Sequence, residues 1–167
     1  PPLLRKEIFE VESTEGDFVL GYMLNAGFHE EVVDWHNANK HQKLEFFWDK
    51  AGADDTTVVD ESFSLHKIND MRFVEYMSRC KAYASTSGFE SICEAMYLRK
   101  PIMMVPAHIE QICNAMDAER AGAGITSDSF NLDKLLNFIP EYKPFPGFRK
   151  WVRNAESYFI RHLTEFE

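Results

Sequence analysis

The sequence has few of the features that mark membrane, secreted or metal-binding proteins. No apolar run reaches the roughly 18 residues that a membrane span requires, and the chain does not open with the pattern of a signal peptide. Only three cysteines occur in 167 residues, with no Cys-x-x-Cys pair, which argues against a disulfide framework and gives no sign of a zinc site. We therefore expect a soluble protein of a reducing compartment, the cytoplasm, that needs no metal.

Basic residues are also in short supply. Eighteen Lys and Arg against 27 Asp and Glu leave a formal net charge of −9, which argues against broad binding to nucleic acid or to an anionic membrane. The P-loop, the GxGxxG fingerprint, HExxH and the EF-hand loop are all missing. A bound phosphate would therefore depend on backbone amides and on the dipole of a helix more than on basic side chains.

What is present suits one globular domain. The length of 167 residues and a hydrophobic content of 45% allow a substantial core. Residues 1–16 begin Pro1-Pro2, carry little periodicity, and are interpreted as an interdomain linker, with the domain at 17–167. We expect the chain to be a piece of a longer protein.

Short apolar runs alternate with amphipathic stretches from residue 17 onward, which predicts βαβ units. The fold class expected is α/β, a Rossmann-like parallel sheet with helices on both faces. In helix 109–121, an apolar face is expected at Ile109, Ile112, Cys113 and Met116. Strands are predicted at 18–24, 43–49, 81–85 and 101–106, with a less regular one within 58–68, and helices at 29–39, 70–80, 89–99, 109–121, 131–139 and 146–166.

Ligands of such sheets bind beyond the carboxyl ends of the strands. This rule selects four loops, at 25–28, 66–70, 86–90 and 106–111. The search for functional residues is therefore concentrated on these loops and on the helices that follow them.

The loop at 86–90 is suited to a phosphate group. Gly88 permits close approach of a ligand to the backbone, the next helix offers free N–H groups in its first turn, and Ser87 and Ser91 add hydroxyls. A plain helix cap explains the same residues more simply. Asn25 and Gly27 form a second turn that could face phosphate.

Two acidic positions suit hydroxyl groups. Glu94 lies four residues after Glu90, so two like charges share a helix face at a cost of about 0.2–0.5 kcal/mol. Its carboxylate could accept both hydroxyls of a ribose, and a surface acid paired with Arg99 or Lys100 is the simpler alternative.

Glu110 and Gln111 could bind a polyhydroxylated ligand, although an acid there also complements the helix dipole. Asn114 would bind ligand or pin the loop, and His108 is assigned a loop role ahead of that of a general base.

The run from 85 to 125 resembles the donor-binding signature of GT-B glycosyltransferases. It is similar to the lipid-linked N-acetylglucosaminyltransferases of peptidoglycan synthesis and to the UDP-glycosyltransferases with the plant secondary-product signature. The shared positions are Gly88, Glu94, Pro101, Pro106, Glu110-Gln111, Asn114-Ala115 and the glycines Gly122 and Gly124. Three positions depart from the family pattern: Thr86 replaces His, Glu90 replaces Asn, and Arg99 replaces Gly.

The resemblance implies a role for each matching residue. Glu94 would hold the ribose, Ser87, Gly88 and Ser91 the diphosphate, Glu110 and Gln111 the donor sugar, and Ile68 the base, while Asn114, Asn25 and Gly27 would support the loops.

For the chain as a whole, the resemblance implies the C-terminal half of an inverting, metal-independent enzyme that uses a UDP-sugar. Its catalytic base and acceptor site would lie in an N-terminal domain of the same enzyme, so this chain alone would be inactive.

Two alternatives remain open. The non-hydrolysing UDP-N-acetylglucosamine 2-epimerases share the fold and a similar phosphate loop, although Gly88-Phe89 fits their Gly-Gly pair less well. A non-catalytic, flavodoxin-like binding module would need neither Glu94 nor the Glu110, Gln111 and Asn114 group.

Overall fold

A computed structural model describes residues 1–23 and 26–164 of the protein. Its centre is a seven-stranded sheet in the order β3-β4-β2-β1-β5-β6-β7. All neighbouring strands are parallel except β3 and β4, which form an antiparallel hairpin at one edge. The strands are β1 (Phe18–Met23), β2 (Lys43–Trp48), β3 (Thr56–Asp60), β4 (Phe63–Lys67), β5 (Ala82–Ser85), β6 (Ile102–Met104) and β7 (Gly124–Thr126).

Helices cover both faces of this sheet, which confirms the predicted fold class. The single helix predicted over 146–166 is wrong in its bounds, because a turn at Asn154 divides it. Among the described residues, no helix is long and apolar enough to cross a membrane. The helices are α1 (Glu7–Glu10), α2 (His29–Ala38), α3 (Asp70–Arg79), α4 (Phe89–Tyr97), α5 (Ile109–Arg120), α6 (Leu132–Phe138), α7 (Phe148–Arg153) and α8 (Ala155–Thr164).

The core is divided by the sheet into two apolar clusters. Neighbouring residues of a strand face opposite sides, so Val19 and Leu20 of β1, like Phe46 and Phe47 of β2, are fully buried in different clusters. This burial on both faces explains why the central strands are apolar without alternation, as a parallel sheet requires.

The segment 1–16 is packed on the domain over part of its length. It contains α1, and Ile8 of that helix is fully buried in one core cluster. The Thr14 amide donates to the Ser78 carbonyl at 2.9 Å. A connection from this segment to a further domain stays a prediction.

The apolar face expected on α5 is the outer face of that helix. Ile109, Ile112 and Met116 are 75%, 41% and 46% exposed, and Cys113 is exposed as well. The buried residues of α5 are Gln111, Ala115 and Ala118. Two alanines on one face allow the helix backbone to approach its neighbours closely, so small size determines the inner face here and hydrophobicity does not.

Packing around β1 predicts a large effect of one methyl group. A Cβ on Gly21 would lie 2.1 Å from the Phe46 ring, and that ring is held by the rings of Phe63 and Phe130, each 6.0 Å away between centroids. Gly21→Ala should therefore lower the free energy of unfolding by about 1–3 kcal/mol, measured by urea denaturation. Gly147→Ala is the control, because its Cβ would meet nothing closer than 3.6 Å; equal losses in the two variants would contradict the expectation.

Candidate functional site

An open cavity of about 520 Å³ lies beyond the carboxyl ends of the central strands. It opens beside β1, the strand at which the strand order of the sheet reverses: β2 lies on one side of β1 and β5 on the other. Ligands of such folds usually bind at this reversal. The loops at 66–70, 86–90 and 106–111 each contribute to its wall. The lining residues are Arg5, Tyr22, Phe47, Ile68, Asp70, Phe73, Gly88, Phe89, Glu90, Ser91 and Glu110.

The turn between β5 and α4 is shaped by Ser87. This residue has a φ of 69°, a left-handed conformation that costs a non-glycine residue roughly 1–2 kcal/mol. Its amide donates to Ser85 Oγ at 3.0 Å, and its carbonyl accepts from Asn114 Nδ2 at 3.3 Å. Asn114 therefore pins the loop. Ser87 itself is fully buried, and its hydroxyl has no hydrogen-bond partner among the described residues.

Gly88 precedes the first turn of α4 and lines the cavity. Its φ of −64° suits any residue, and a Cβ placed there would meet only Ser91 Oγ, at 3.5 Å. Neither backbone conformation nor packing requires glycine at this position. The missing side chain instead leaves the N-terminal turn of α4, which has no side-chain cap, open to the cavity.

Glu94 is an almost completely buried carboxylate, with 1% of the residue exposed. Its Oε1 accepts from Arg5 Nε at 2.5 Å, and its Oε2 has no partner among the described residues. Burial raises the pKa of Glu94, although the Arg5 guanidinium opposes that shift. The simpler expectation of a surface acid paired with Arg99 or Lys100 is therefore wrong.

Arg5 comes from the segment that precedes β1. A second cavity, of about 480 Å³, lies on its other side and is lined by Leu3, Arg5, Glu7, Asp70, Met71, Glu90 and Glu94. Arg5 thus covers Glu94 at the boundary between two cavities. Within the described part of the chain, it is the one basic residue that lines either of them.

The remaining predicted residues are distributed unevenly. Ile68 and Glu110 line the cavity, whereas Gln111 is 5% exposed and its Oε1 accepts from the Ala107 amide at 2.8 Å. Gln111 therefore closes the loop before α5. Gly27 and His108 do not line the cavity, and Asn25 lies outside the described residues.

Aromatic wall residues were not selected from the sequence. Tyr22, Phe47 and Phe73 line the cavity, and the Tyr22 and Phe73 rings lie 5.6 Å apart between centroids. Burial, with a smaller effect from Asp49 and Asp70, raises the pKa of Tyr22, so its hydroxyl stays neutral. Because Tyr22 and Phe47 lie near the carboxyl ends of their strands, the rule that selected the loops could also have found them.

Comparison with known sequences identifies relatives. Residues 1–142 match the model of the family described as Glycosyl transferase family 1. A stretch of 56 residues is 36% identical to the Caenorhabditis elegans protein ugt-48, which carries the name of a UDP-glucuronosyltransferase. That stretch is 34% of this chain and 11% of the worm protein.

Solved structures with a similar fold are GT-B glycosyltransferases. The glycotransferase of kitacinnamycin has a TM-score of 0.64 at 15% identity, covering 91% of this chain and 44% of its own. SnogD from Streptomyces nogalater gives 0.53 at 14%, with 94% and 42% covered. VinC, solved in complex with dTDP, gives 0.55 at 15%, with 92% and 40% covered. This chain therefore spans less than half of each of these structures.

Proposed function

Because the chain belongs to glycosyl transferase family 1, we propose that it is the part of a glycosyltransferase that binds the nucleotide-sugar donor. The sugar would pass from a UDP-sugar to a hydroxyl of an acceptor. One observation carries the proposal: Ile68, Gly88, Ser91 and Glu110 converge on one cavity at the carboxyl edge of the sheet, and the buried carboxylate of Glu94 lies beside it.

Glu94 is proposed to bind the two ribose hydroxyls. A carboxylate with an unpartnered oxygen suits this role. Since Glu94 is covered by Arg5, the Arg5 side chain has to leave Oε1 when the ribose binds. Arg5 lines the same cavity as Gly88, so its charge would still favour a diphosphate there.

The diphosphate is proposed to lie against Gly88 and the N-terminal turn of α4. Free N–H groups and the helix dipole stabilise anions at this position, including the charge that develops on the leaving diphosphate during transfer. Ser91 remains a proposed contact. The Ser87 hydroxyl is buried and would reach the ligand only after rearrangement of the turn.

Residues in the wall of the cavity are proposed to bind the base and the sugar of the donor. Ile68, with Tyr22 and Phe47 nearby, offers an apolar surface for the base, and Glu110 can accept hydrogen bonds from the sugar. Gln111 would act through the loop that it holds. We propose no metal and assign no catalytic base to the described residues, so a further part of the protein would supply that base and the acceptor site. A cytoplasmic location stays a prediction.

The choice of a UDP-sugar depends on the sequence resemblance, and the name of the worm relative is consistent with it. VinC, a protein of similar fold, was solved with the nucleoside diphosphate dTDP bound. The match to a glycosyltransferase family favours transfer over epimerisation and over a non-catalytic module.

Titration of the chain with UDP, dTDP and ADP by calorimetry tests the proposal. We expect saturable binding that is tighter for UDP than for ADP. Absence of binding at millimolar nucleotide would contradict the donor role. Conversion of UDP-N-acetylglucosamine to its 2-epimer by the whole protein would favour the epimerase instead.

A further inference from the structure

A cluster of basic side chains surrounds a separate cavity at the opposite, amino edge of the sheet. The cavity measures about 540 Å³ and is lined by Lys81, Arg99, Lys100 and Arg149, against a single carboxylate, Glu15. Lys81 directly precedes β5, and Lys100 comes just before β6. The strands therefore separate this cavity from the proposed donor site. In a chain of net charge −9, such a local excess of cations requires an explanation.

Acidic side chains compensate the charges of this cluster only from a distance: Asp17 raises the pKa of Lys81 and Glu15 that of Lys100, each against a larger effect of burial. Among residues 1–23 and 26–164, none of the four cations forms an ion pair with a carboxylate. The ammonium of Lys100, a residue only 4% exposed, donates to the carbonyls of Thr14 and Cys80 at 2.5 and 2.8 Å. These neutral acceptors take up two of its three N–H groups and leave its positive charge in place.

Two more cations of the cluster also donate to neutral acceptors. Lys81 Nζ donates to Gln42 Oε1 at 2.5 Å, and Arg149 Nε donates to the Tyr97 carbonyl at 2.6 Å. Burial lowers the pKa of Lys81 and of Arg149, and the nearby charge of Arg99 lowers that of Arg149 further. An anion in the cavity would relieve this repulsion.

Arg99 has the most unusual backbone of the cluster. Its φ is 60°, a left-handed conformation that glycine adopts freely and a long side chain rarely adopts. The conformation belongs to the Schellman cap that ends α4, in which the amides of Arg99 and Lys100 donate to the Met96 and Ala95 carbonyls at 3.1 and 2.9 Å. The guanidinium of Arg99 is exposed and makes no hydrogen bond to the described residues.

We propose that this cavity binds a small phosphate-bearing molecule, with Arg99, Lys81 and Lys100 holding the phosphate. Guanidinium groups form paired, charge-assisted hydrogen bonds to phosphate oxygens. The volume exceeds what inorganic phosphate needs and falls within the roughly 300–1,000 Å³ of ligand cavities. Leu98, Pro101 and Ile139 offer apolar contact to the rest of the molecule. This inference is independent of the proposed function.

Tyr142 completes the wall of the cavity. Burial raises its pKa to about 12, although Arg99 opposes the shift. The hydroxyl is therefore protonated at neutral pH and is a donor for a phosphate oxygen. The acidic surface of the whole chain would repel long polyanions, which is why the ligand is assigned as a small molecule.

Pyrophosphate is the probe for the first experiment, with sodium chloride at equal ionic strength as the reference. We expect saturable chemical-shift changes in ¹⁵N–¹H spectra at the amides of Lys81, Arg99 and Lys100. Shifts confined to residues 88–91 would place the anion at the donor cavity instead and would overturn the proposal, as would shifts that do not saturate.

Substitution of Arg99 provides the second test. Arg99→Asn removes the charge and retains a residue that tolerates the left-handed conformation, so pyrophosphate affinity should fall about tenfold or more, whereas Arg99→Lys should lose less. Arg120→Gln is the matched control, because it removes an exposed charge that does not line the cavity. Equal pyrophosphate affinities of the Arg99→Asn and Arg120→Gln variants would show that only the net charge of the protein matters, and would refute the site. UDP binding should be unchanged in both.

Discussion

Replacement of Glu94 by glutamine is expected to weaken the binding of UDP by about tenfold to a hundredfold. The substitution keeps the shape of the side chain but removes the charge that would strengthen hydrogen bonds from the hydroxyls of the proposed ribose. Such charge-assisted bonds contribute about 1.5–3 kcal/mol. Isothermal titration calorimetry of the two proteins measures the difference directly.

The loss of binding should occur without loss of the fold. Burial already disfavours the charged form of Glu94, so a neutral side chain of equal size is tolerated, and Arg5 keeps contact with solvent and with Asp70 at 3.7 Å. Glu75→Gln is the control, because Glu75 forms an exposed pair with Arg79. Equal UDP affinities of the Glu94→Gln protein and the unaltered protein would remove Glu94 from the ribose site.

The pH dependence of UDP-sugar affinity provides a second test of the Glu94→Gln substitution. The pKa of Glu94 lies above its ordinary value of 4.5, and hydroxyl donors require the ionised form. Affinity for a UDP-sugar should therefore fall as the pH drops through that raised pKa. A UDP-sugar has no phosphomonoester that titrates near pH 6. The Glu94→Gln variant should lose this dependence on pH.

Gly88→Val is expected to reduce UDP affinity by about a hundredfold or more, the largest effect that we expect on binding. A branched side chain at this position would stand between the diphosphate and the free N–H groups of α4, and would remove charge-assisted hydrogen bonds worth about 1.5–3 kcal/mol each. Gly88→Ala should give a smaller loss, so that affinity falls in the order of side-chain size.

This effect is separable from folding because the backbone at Gly88 suits any residue and a Cβ meets only Ser91 Oγ at 3.5 Å. The melting temperature of the Gly88→Ala protein, measured by circular dichroism, should therefore stay close to that of the unaltered protein. Tight UDP binding by the Gly88→Val protein would place the diphosphate elsewhere.

Much of the architecture could be read from local pattern. Apolar runs alternating with amphipathic stretches predicted the parallel sheet and its two helical layers, since both features depend on residues near one another in the chain. The bounds of the last helix could not be read in this way. Its stripe of apolar residues continues past Asn154, where the structure has a turn between α7 and α8.

The site was predictable only in part. The rule for carboxyl ends selected the loops that carry Ile68, Gly88 and Glu110, and these residues do line one cavity. The rule could not show that Gln111 holds its own loop through the Ala107 amide. It also could not show which face of α5 is buried, because that depends on how closely Ala115 and Ala118 let the helix approach its neighbours.

The sequence by itself determined the fold class and the loops in which a nucleotide would be sought, because helix and strand periods and turn residues act over short distances. Only the tertiary structure placed Arg5 on Glu94, 89 positions apart, and gathered Lys81, Arg99, Lys100 and Arg149 around one cavity. Contacts of this kind arise when segments pack across a shared core, and residues scattered along a chain carry no local signal of charges that they will meet after folding.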